Sequence, residues 1–168
     1  MNPRKLFRWY LHTFAITALA ASSVSILASH LIYNATRSMA LGFYWLSPAR
    51  APARGAVVAF PVPPNVQALV RERRYLPENG LLLKPIVAVA GDDVCTRGGV
   101  LNVNGVFVGH VLDRDSAARS LPRSDLCGTL PEGEIFVASA NPQSFDSRTF
   151  GSIPVAAVRG EVRSLWTF

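Results

Sequence analysis

The sequence predicts a mostly β fold, in which a coiled antiparallel β domain follows one N-terminal transmembrane helix. Beyond residue 42, short apolar runs alternate with glycine, proline and asparagine, and helical periodicity is scarce. Asn104-Gly105 lies between two of these runs and is typical of a tight hairpin, because both turn residues need positive φ. Residues 13–33 form a long stretch without formal charge, which predicts a helix in a membrane.

The first 33 residues divide into a basic tail and an apolar segment. Residues 1–12 carry Arg4, Lys5 and Arg8 and no acidic residue. As a helix, the uncharged segment at 13–33 would span roughly 30 Å, the thickness of a bilayer core. The positive-inside rule then places the tail in the cytoplasm and residues 34–168 in an exported domain. The small residues around Leu19 leave a cleaved signal sequence as an alternative.

The exported part reads as short strands separated by turns. We expect strands at 43–46, 56–60, 81–90, 100–103, 106–111, 135–138 and 155–165. Three prolines end the second of these strands, and one short helix is expected at 66–73. A chain of 168 residues has room for one such domain with its own core plus an appendage.

Composition and cysteine usage exclude several classes of protein. Outside the basic tail, fourteen cationic residues face eleven acidic ones, so nucleic-acid binding is not predicted. The histidines His12, His30 and His110 are scattered, and no metal or other cofactor is expected. The two cysteines, Cys95 and Cys127, both lie in the exported part, where an even count normally forms a disulfide.

Lysine usage singles out one position. The chain has fifteen arginines but only two lysines, Lys5 in the tail and Lys84 in the exported domain. Lys84 lies in an apolar run, where desolvation would lower the pKa of its amine. A lysine with a pKa lowered by about three units can act as a general base at neutral pH. The alternative is a lysine that reaches water from a strand edge.

Ser38 and a polar cluster at 141–151 complete the candidate chemistry. Ser38 follows the apolar segment by five residues, which would place its hydroxyl near the membrane surface. A nucleophile at that depth suits polypeptides that are themselves held in the bilayer. An ordinary linker serine is the alternative, and the polar cluster could be a loop closed by Asp146 and Arg148.

Four segments, in this order, resemble the boxes of the type I signal peptidase superfamily, which pairs a serine nucleophile with a lysine base on a coiled β fold. The segments are Ser38-Met39, Arg54-Gly55-Ala56-Val57-Val58-Ala59-Phe60, Lys84-Pro85-Ile86-Val87-Ala88-Val89-Ala90-Gly91-Asp92 and Ser144-Phe145-Asp146-Ser147-Arg148-Thr149-Phe150-Gly151. One such box is weak, whereas four in order behind one N-terminal segment are specific.

The sequence departs from housekeeping signal peptidases at two places. It lacks a proline soon after Ser38-Met39, and Ala138-Ser139-Ala140-Asn141 stands where those enzymes have Gly-Asp-Asn-Arg. Both departures resemble the conjugative-transfer branch, the TraF-type peptidases that mature the pilin subunit of a mating apparatus. In that branch the resemblance also implies a catalytic role for Asp146.

The resemblance implies a serine peptidase with Ser38 as nucleophile and Lys84 as general base, supported by Met39, Ser144 and Arg148. It further implies a catalytic domain in the periplasm, anchored in the bacterial inner membrane. The implied partners are a membrane-tethered pilin precursor as substrate and other mating-apparatus proteins. Two alternatives stay open: a general signal peptidase that removes secretory signal peptides, and a non-catalytic subunit of a mating channel.

Overall fold

The structure, a computed structural model, describes residues 3–49, 51 and 53–168 of the chain. Within the N-terminal helix, the side chains of residues 3–6, 8, 20 and 23–26 lie outside that description. The chain divides into two compact units, Met1–Ile32 and Tyr33–Phe168.

The first unit is built around helix α1, which spans Pro3–His30. The predicted membrane segment at 13–33 differs in its bounds, because the chain becomes a β-strand at Leu31. The β-branched and aromatic residues that follow favour that extended conformation. Among the described residues, no helix combines the length and apolar character needed to cross a bilayer. The predicted tail, 1–12, includes residues 1–2 and the three cationic side chains, which lie outside the description.

The second unit contains the remaining helices and most of the strands. The strands are β1 (Leu31–Asn34), β2 (Gly42–Ser47), β3 (Val57–Pro61), β4 (Leu81–Val89), β5 (Asp93–Cys95), β6 (Val100–Val103), β7 (Val106–His110), β8 (Cys127–Thr129), β9 (Glu134–Val137), β10 (Ile153–Pro154) and β11 (Gly160–Thr167). The helices are α2 (Gln67–Arg73) and α3 (Ser147–Phe150), with 3-10 turns at Pro64–Val66, Arg97–Gly99 and Val155–Ala157.

The strands form two sheets, and the pairings among β2 to β11 are antiparallel. The larger sheet has the order β1-β2-β11-β3-β4-β9-β10, and the smaller one has the order β7-β6-β5-β8. Strand β4 changes neighbours along its length. Leu81 to Pro85 pair with β3, whereas pairing with β9 involves Ile86, Ala88 and Val89. The prediction of a mostly β, antiparallel fold is therefore confirmed.

Two apolar cores stabilise this unit. The larger core is formed by Val58, Phe60, Val66, Leu82, Ile86, Ile135, Val137, Phe150 and Ile153. The smaller core is formed by Ala88, Val94, Leu101, Val103, Val111, Leu130, Phe136 and Ala138. Strand β9 contributes to both, because its alternate side chains point to opposite faces of the sheet. Strand β4 contributes to both because its register with β9 shifts between Ile86, in the larger core, and Ala88, in the smaller one.

The predicted strand at 155–165 is wrong in its first half. Val155–Ala157 form a 3-10 turn, and the strand begins only at Gly160. Gly160 marks the start because a Cβ there would lie 2.2 Å from the backbone oxygen of Ser47. The close approach of two backbones, and not β propensity, decides where this strand begins. The predicted turn at Asn104 and Gly105 has φ angles of 51° and 76°, as a tight hairpin requires.

Candidate active site

Lys84 lies in the middle of β4 and has only 3% of its surface exposed. It is on the same face of the strand as Leu82 and Ile86, which belong to the larger core. Its amine donates no hydrogen bond to any residue that the structure describes. Burial lowers the pKa of Lys84 from 10.5 to about 8, while Asp146 opposes this shift and Arg148 adds to it. At such a pKa, about one Lys84 amine in ten is uncharged at pH 7.

Ser38 lies in the connection between β1 and β2, residues 35–41, which we call the Ser38 loop. Asn34, buried at the end of β1, organises this loop with its side-chain amide. Asn34 Nδ2 donates to the backbone oxygens of Thr36 and Ala40, each at 3.0 Å, and Oδ1 accepts the Thr36 N–H at 3.1 Å. These bonds satisfy a buried polar side chain and fix the course of the loop.

The hydroxyl of Ser38 is half-buried and is bonded to Thr36. Thr36 Oγ1 lies 3.0 Å from Ser38 Oγ and donates its own proton to Asn34 Oδ1 at 2.9 Å. Since a threonine hydroxyl has one proton, Ser38 is the donor in the contact between the two hydroxyls. No hydrogen bond joins Ser38 Oγ to Lys84 Nζ among the described residues. Proton transfer to Lys84 would therefore require the Ser38 hydroxyl to rotate away from Thr36.

Ser139 connects the Ser38 loop with the strand that carries Lys84. Its hydroxyl donates a hydrogen bond to the backbone oxygen of Ser38. The preceding residue, Ala138, donates its backbone N–H to the backbone oxygen of Pro85 at 3.1 Å, directly after Lys84 in sequence. Two adjacent residues of one segment thus hold the serine loop and the lysine strand.

Asp146 and Arg148 form a buried ion pair next to Ser139. Their exposed fractions are 0% and 4%, and Arg148 Nε and Nη2 donate to the two carboxylate oxygens at 2.8 and 2.7 Å. Asp146 also accepts the backbone N–H of Ser139 at 3.1 Å and caps α3 by accepting that of Arg148. The guanidinium donates further to backbone oxygens of Ser139, Asn141 and His110. The pair has no net charge, and its hydrogen bonds connect α3 with residues 139–141 and with His110.

Two other residues predicted for the site lie in the same segments. Ser144 is buried, and its Oγ is, within the described part of the chain, the one side-chain oxygen or nitrogen that has neither accessible surface nor a hydrogen-bond partner. Such groups are uncommon in native proteins and are often functional. Met39 is half-buried beside Ser38, and its backbone oxygen lies 3.4 Å from Asn34 Nδ2.

Cys95 and Cys127 belong to the smaller sheet and are separate from this site. They stand opposite each other on β5 and β8 and are joined by a disulfide. Across the residues that the structure describes, no group of three or more histidine, cysteine, aspartate or glutamate residues could hold a metal ion.

Three polar residues of the site were not predicted from sequence, Asn34, Thr36 and Ser139, and Asn141 was predicted only as part of the polar cluster at 141–151. Asn141 contributes because its Nδ2 donates to the backbone oxygen of Arg37 at 3.1 Å. Both asparagines also accept the N–H of the residue two positions on, at 3.1 and 2.9 Å. This turn pattern is a known signal of asparagine in loops, so the asparagines could have been found. Ser139 meets its partner only through the tertiary fold.

A hydroxyl on a hydrogen-bonded loop and a desolvated amine are the kinds of group that a serine hydrolase with a lysine base uses. The comparison with protein families agrees with this class. The chain belongs to the signal peptidase family, peptidase S26, whose family model matches residues 4–167.

Individual relatives of the chain are plasmid and conjugal transfer proteins. The chain is 31% identical over 164 residues to a plasmid transfer protein TraF of Escherichia coli, covering 90% of each protein. It is 28% identical over 180 residues to a conjugal transfer protein TraF of Agrobacterium fabrum, covering 100% of this chain and 99% of the relative. A crystal structure of signal peptidase I from Enterococcus faecalis aligns with 24% identity and a TM-score of 0.43, covering 68% of this chain and 99% of the other.

Proposed function

We propose that this chain is a serine endopeptidase and acyl transferase in which Ser38 is the nucleophile and Lys84 the general base. The observation that carries the proposal is the state of Lys84. Its side chain is only 3% exposed, its amine bonds to no described residue, and desolvation lowers its pKa to about 8. A lysine that only supported the fold would be expected to form an ion pair or to extend its amine fully into water.

The reaction follows from these two groups. The Ser38 hydroxyl turns from Thr36, gives its proton to neutral Lys84, and its oxygen attacks the carbonyl carbon of a peptide bond. Lys84 then passes the proton to the departing amine as the C–N bond breaks, which leaves an ester on Ser38. Water or an amine attacks that ester and releases Ser38. The backbone N–H of Ser38 bonds to no described residue and is the candidate donor to the oxyanion.

The edge of β4 offers a place for a peptide substrate. Over Leu81 to Lys84, the strand pairs with β3 on one side, and its pairing with β9 begins only at Ile86. An extended peptide can add to such a strand edge through main-chain hydrogen bonds. A substrate bound there would bring a peptide bond to the level of Lys84.

Asp146, Arg148, Ser144 and Met39 are supporting residues in this proposal. The buried ion pair holds Ser139 and thereby the backbone of Ser38. Ser144 Oγ bonds to no described residue, and in this proposal it can accept a hydrogen bond from the Lys84 amine. A catalytic role for Asp146 would act on the release step, in which a proton must leave the attacking water or amine.

The biological role that we propose is maturation of a conjugative pilin precursor, because the relatives over nearly the full chain are plasmid and conjugal transfer proteins. If the attacking amine is the amino terminus of the cleaved pilin itself, the product is cyclic. The proposal places the catalytic domain in the periplasm, at the inner membrane. The disulfide and the basic start of the chain support an exported domain.

The test follows the pilin precursor encoded with this chain, by mass spectrometry, in cells that carry a deletion complemented with defined variants. We expect Ser38→Ala and Lys84→Met to abolish maturation. Lys84→Arg should abolish it too, because a guanidinium stays protonated. The control, Ser152→Ala, removes a part-buried hydroxyl that bonds Glu134 and should mature the pilin normally. A cyclic product is lighter than the linear one by one water.

Other roles predict different results in the same strains. Removal of secretory signal peptides would leave unprocessed precursors of many exported proteins, whereas pilin maturation affects the mating pilus alone. An assembly role would tolerate Lys84→Arg in a protein that still folds. Normal pilin maturation by folded Ser38→Ala protein would refute the proposed nucleophile.

A further inference from the structure

A groove of about 1000 Å³ opens at the start of β4. Its walls are formed by α2, the connection from Arg74 to Gly80, the end of β3 and Arg159. Pro61, the last residue of β3, and Leu81, the first residue of β4, pair with each other and both line the groove. It therefore lies at the start of β4, where the pairing of this strand with β3 ends.

The groove is basic, and its arginines are unoccupied. Arg71, Arg74 and Arg159 line it together with one carboxylate, Glu78. None of the three arginines forms an ion pair or a side-chain hydrogen bond with a described residue, and all three are exposed. Arg73, on the same helix, differs, because it bonds Asp115 and the hydroxyl of Tyr75. Free guanidinium groups around a concave surface are suited to bind a carboxylate.

Arg74 is also held in an unusual conformation. It ends α2 with φ 53° and ψ 41°, in the left-handed region. At that position glycine or asparagine is usual, since other residues pay for the crowding of Cβ. An arginine therefore lines the groove at a backbone position where glycine or asparagine would be less strained.

The distance from this groove to the candidate reaction centre is set by β4. Leu81 precedes Lys84 by three residues, which corresponds to about 10 Å along a strand. A peptide extended along the unpaired edge, with its scissile bond near Lys84, would reach the groove about three to five residues from that bond.

From this position and charge we propose that the groove is a specificity site that binds an acidic side chain of the substrate, three to five residues from the scissile bond. The inference rests on the proposed function and names a feature of its substrate. A peptide fits better than a lipid headgroup, because the groove lies at the start of the strand that carries Lys84 and has apolar walls at Pro61, Val62 and Leu76.

The test is peptide cleavage by the full chain in detergent. A peptide spanning the cleavage site of the pilin precursor is made with neutral flanks, and one aspartate is moved through positions two to six on each side of the scissile bond. We expect one position, three to five residues away, to lower KM about tenfold without changing kcat. The gain should shrink at high salt, because the groove is exposed.

Substitution of the groove arginines tests whether they cause the lower KM of the acidic peptide. In the double variant Arg71→Gln/Arg159→Gln, the acidic and neutral peptides should have the same KM. The matched control, Arg97→Gln, removes an exposed arginine outside the groove and should keep the preference. Thermal melts establish that each variant is folded.

The outcomes separate this inference from the proposed function. If no peptide is cleaved by the unaltered protein, the proposed function fails. If peptides are cleaved but the aspartate lowers KM at no position, or lowers it equally in the double variant, the groove inference alone is overturned. Loss of binding to phosphatidylglycerol vesicles by the double variant, with no peptide preference in the unaltered protein, would also overturn it and would assign the groove to lipid.

Discussion

Ser139 donates a hydrogen bond from its hydroxyl to the backbone oxygen of Ser38, a residue 101 positions earlier in the chain. The same Ser139 gives its backbone N–H to Asp146 at 3.1 Å. Asp146 is in turn bonded to Arg148, and both charges act on the pKa of Lys84. One serine therefore joins the candidate nucleophile to the buried ion pair near the candidate base.

Ser139→Ala should slow catalysis more than it destabilises the fold. The substitution removes the bond to Ser38 and frees the Ser38 loop, while one lost hydrogen bond costs about 1 kcal/mol of unfolding free energy. We expect kcat to fall about tenfold or more, because misplacement of a nucleophile is costly. Steady-state kinetics and urea unfolding measure the two effects. Ser152→Ala, whose hydroxyl bonds Glu134, should change neither kcat nor KM. Equal activity of both variants would show that the Ser139 bond does not position Ser38.

The activity should rise with pH through a midpoint near 8. Burial lowers the pKa of Lys84 to about 8, and the base works only when its amine is neutral. The fraction of neutral Lys84 therefore grows about tenfold per pH unit below the midpoint and levels off above it.

The measurement is kcat/KM for a peptide substrate between pH 6 and 10, which reports groups of the free enzyme. Circular dichroism at each pH serves as the control for unfolding. A midpoint near 10.5, the ordinary pKa of lysine, would contradict a desolvated base.

Lys84→Met should stabilise the folded protein at pH 7 while abolishing activity. In the folded state the pKa of Lys84 is about 8, against 10.5 for an ordinary lysine. Between these values the unfolded chain binds more protons, so unfolding free energy rises with pH there. Below pH 8, both states are protonated, and burial of the charge costs up to about 3 kcal/mol, a penalty that methionine lacks.

Urea unfolding at pH 7 and pH 10 tests whether Lys84→Met raises the unfolding free energy. The gain from Lys84→Met should be about 1–3 kcal/mol at pH 7 and smaller at pH 10, where Lys84 in the folded protein is already neutral. Lys84→Arg serves as the matched comparison and should be destabilising at both pH values, because its charge persists. A Lys84→Met protein that is less stable than the unaltered protein at pH 7 would contradict the buried, unpartnered amine.

The apolar pattern predicted the strands that build the core, whereas tertiary contacts set the rest. The run around Lys84 predicted β4 to within one residue, because nine consecutive positions can all be buried in a sheet. Strands β5 and β8 have three residues each, too few for a pattern to be recognised. The start of β11 was misplaced because the backbone near Ser47 leaves no room for a side chain at Gly160.

In the candidate site, too, local sequence predicted some features, whereas others depend on tertiary contacts. Burial of Lys84 could be predicted, since its neighbours in sequence are also its surroundings in the sheet. The bond of Ser139 to Ser38 could not, because residues 101 positions apart share no local pattern. Nor did the sequence predict that Thr36 holds the Ser38 hydroxyl, a contact that depends on how Asn34 folds the loop.

Removal of the disulfide should weaken the smaller sheet without stopping the chemistry. Cys95 and Cys127 close a loop of 32 residues between paired strands. In the chain-entropy description, a loop of that size contributes about 4 kcal/mol of unfolding free energy. The double variant Cys95→Ser/Cys127→Ser should lose about that amount in urea unfolding, with kcat within about twofold. The unaltered protein in reducing agent is the control and should show the same loss. A large fall in kcat of folded double variant would place the smaller sheet in the catalytic mechanism.

Asp146 and Arg148 should prove to be strongly coupled in stability. Asp146→Ala leaves a guanidinium that is 4% exposed without its counterion, which should cost about 3–5 kcal/mol of unfolding free energy. Arg148→Met should cost as much, because the backbone oxygens of Ser139, Asn141 and His110 also lose a donor. The double variant should cost less than the sum by about 2 kcal/mol or more, since no unpaired charge remains.

A catalytic role for Asp146 needs a separate readout, and Asp146→Asn supplies it. Asparagine keeps the shape of the side chain and one acceptor for Arg148 but cannot take up a proton. If Asp146 assists release of the acyl group, this variant should accumulate the ester on Ser38, seen as a burst of the first product and as a mass adduct. A purely structural Asp146 would lower stability and slow both steps alike, with no burst. Acyl-enzyme accumulation in a folded Asp146→Asn protein therefore decides between a carboxylate that acts on the reaction and one that only holds Arg148.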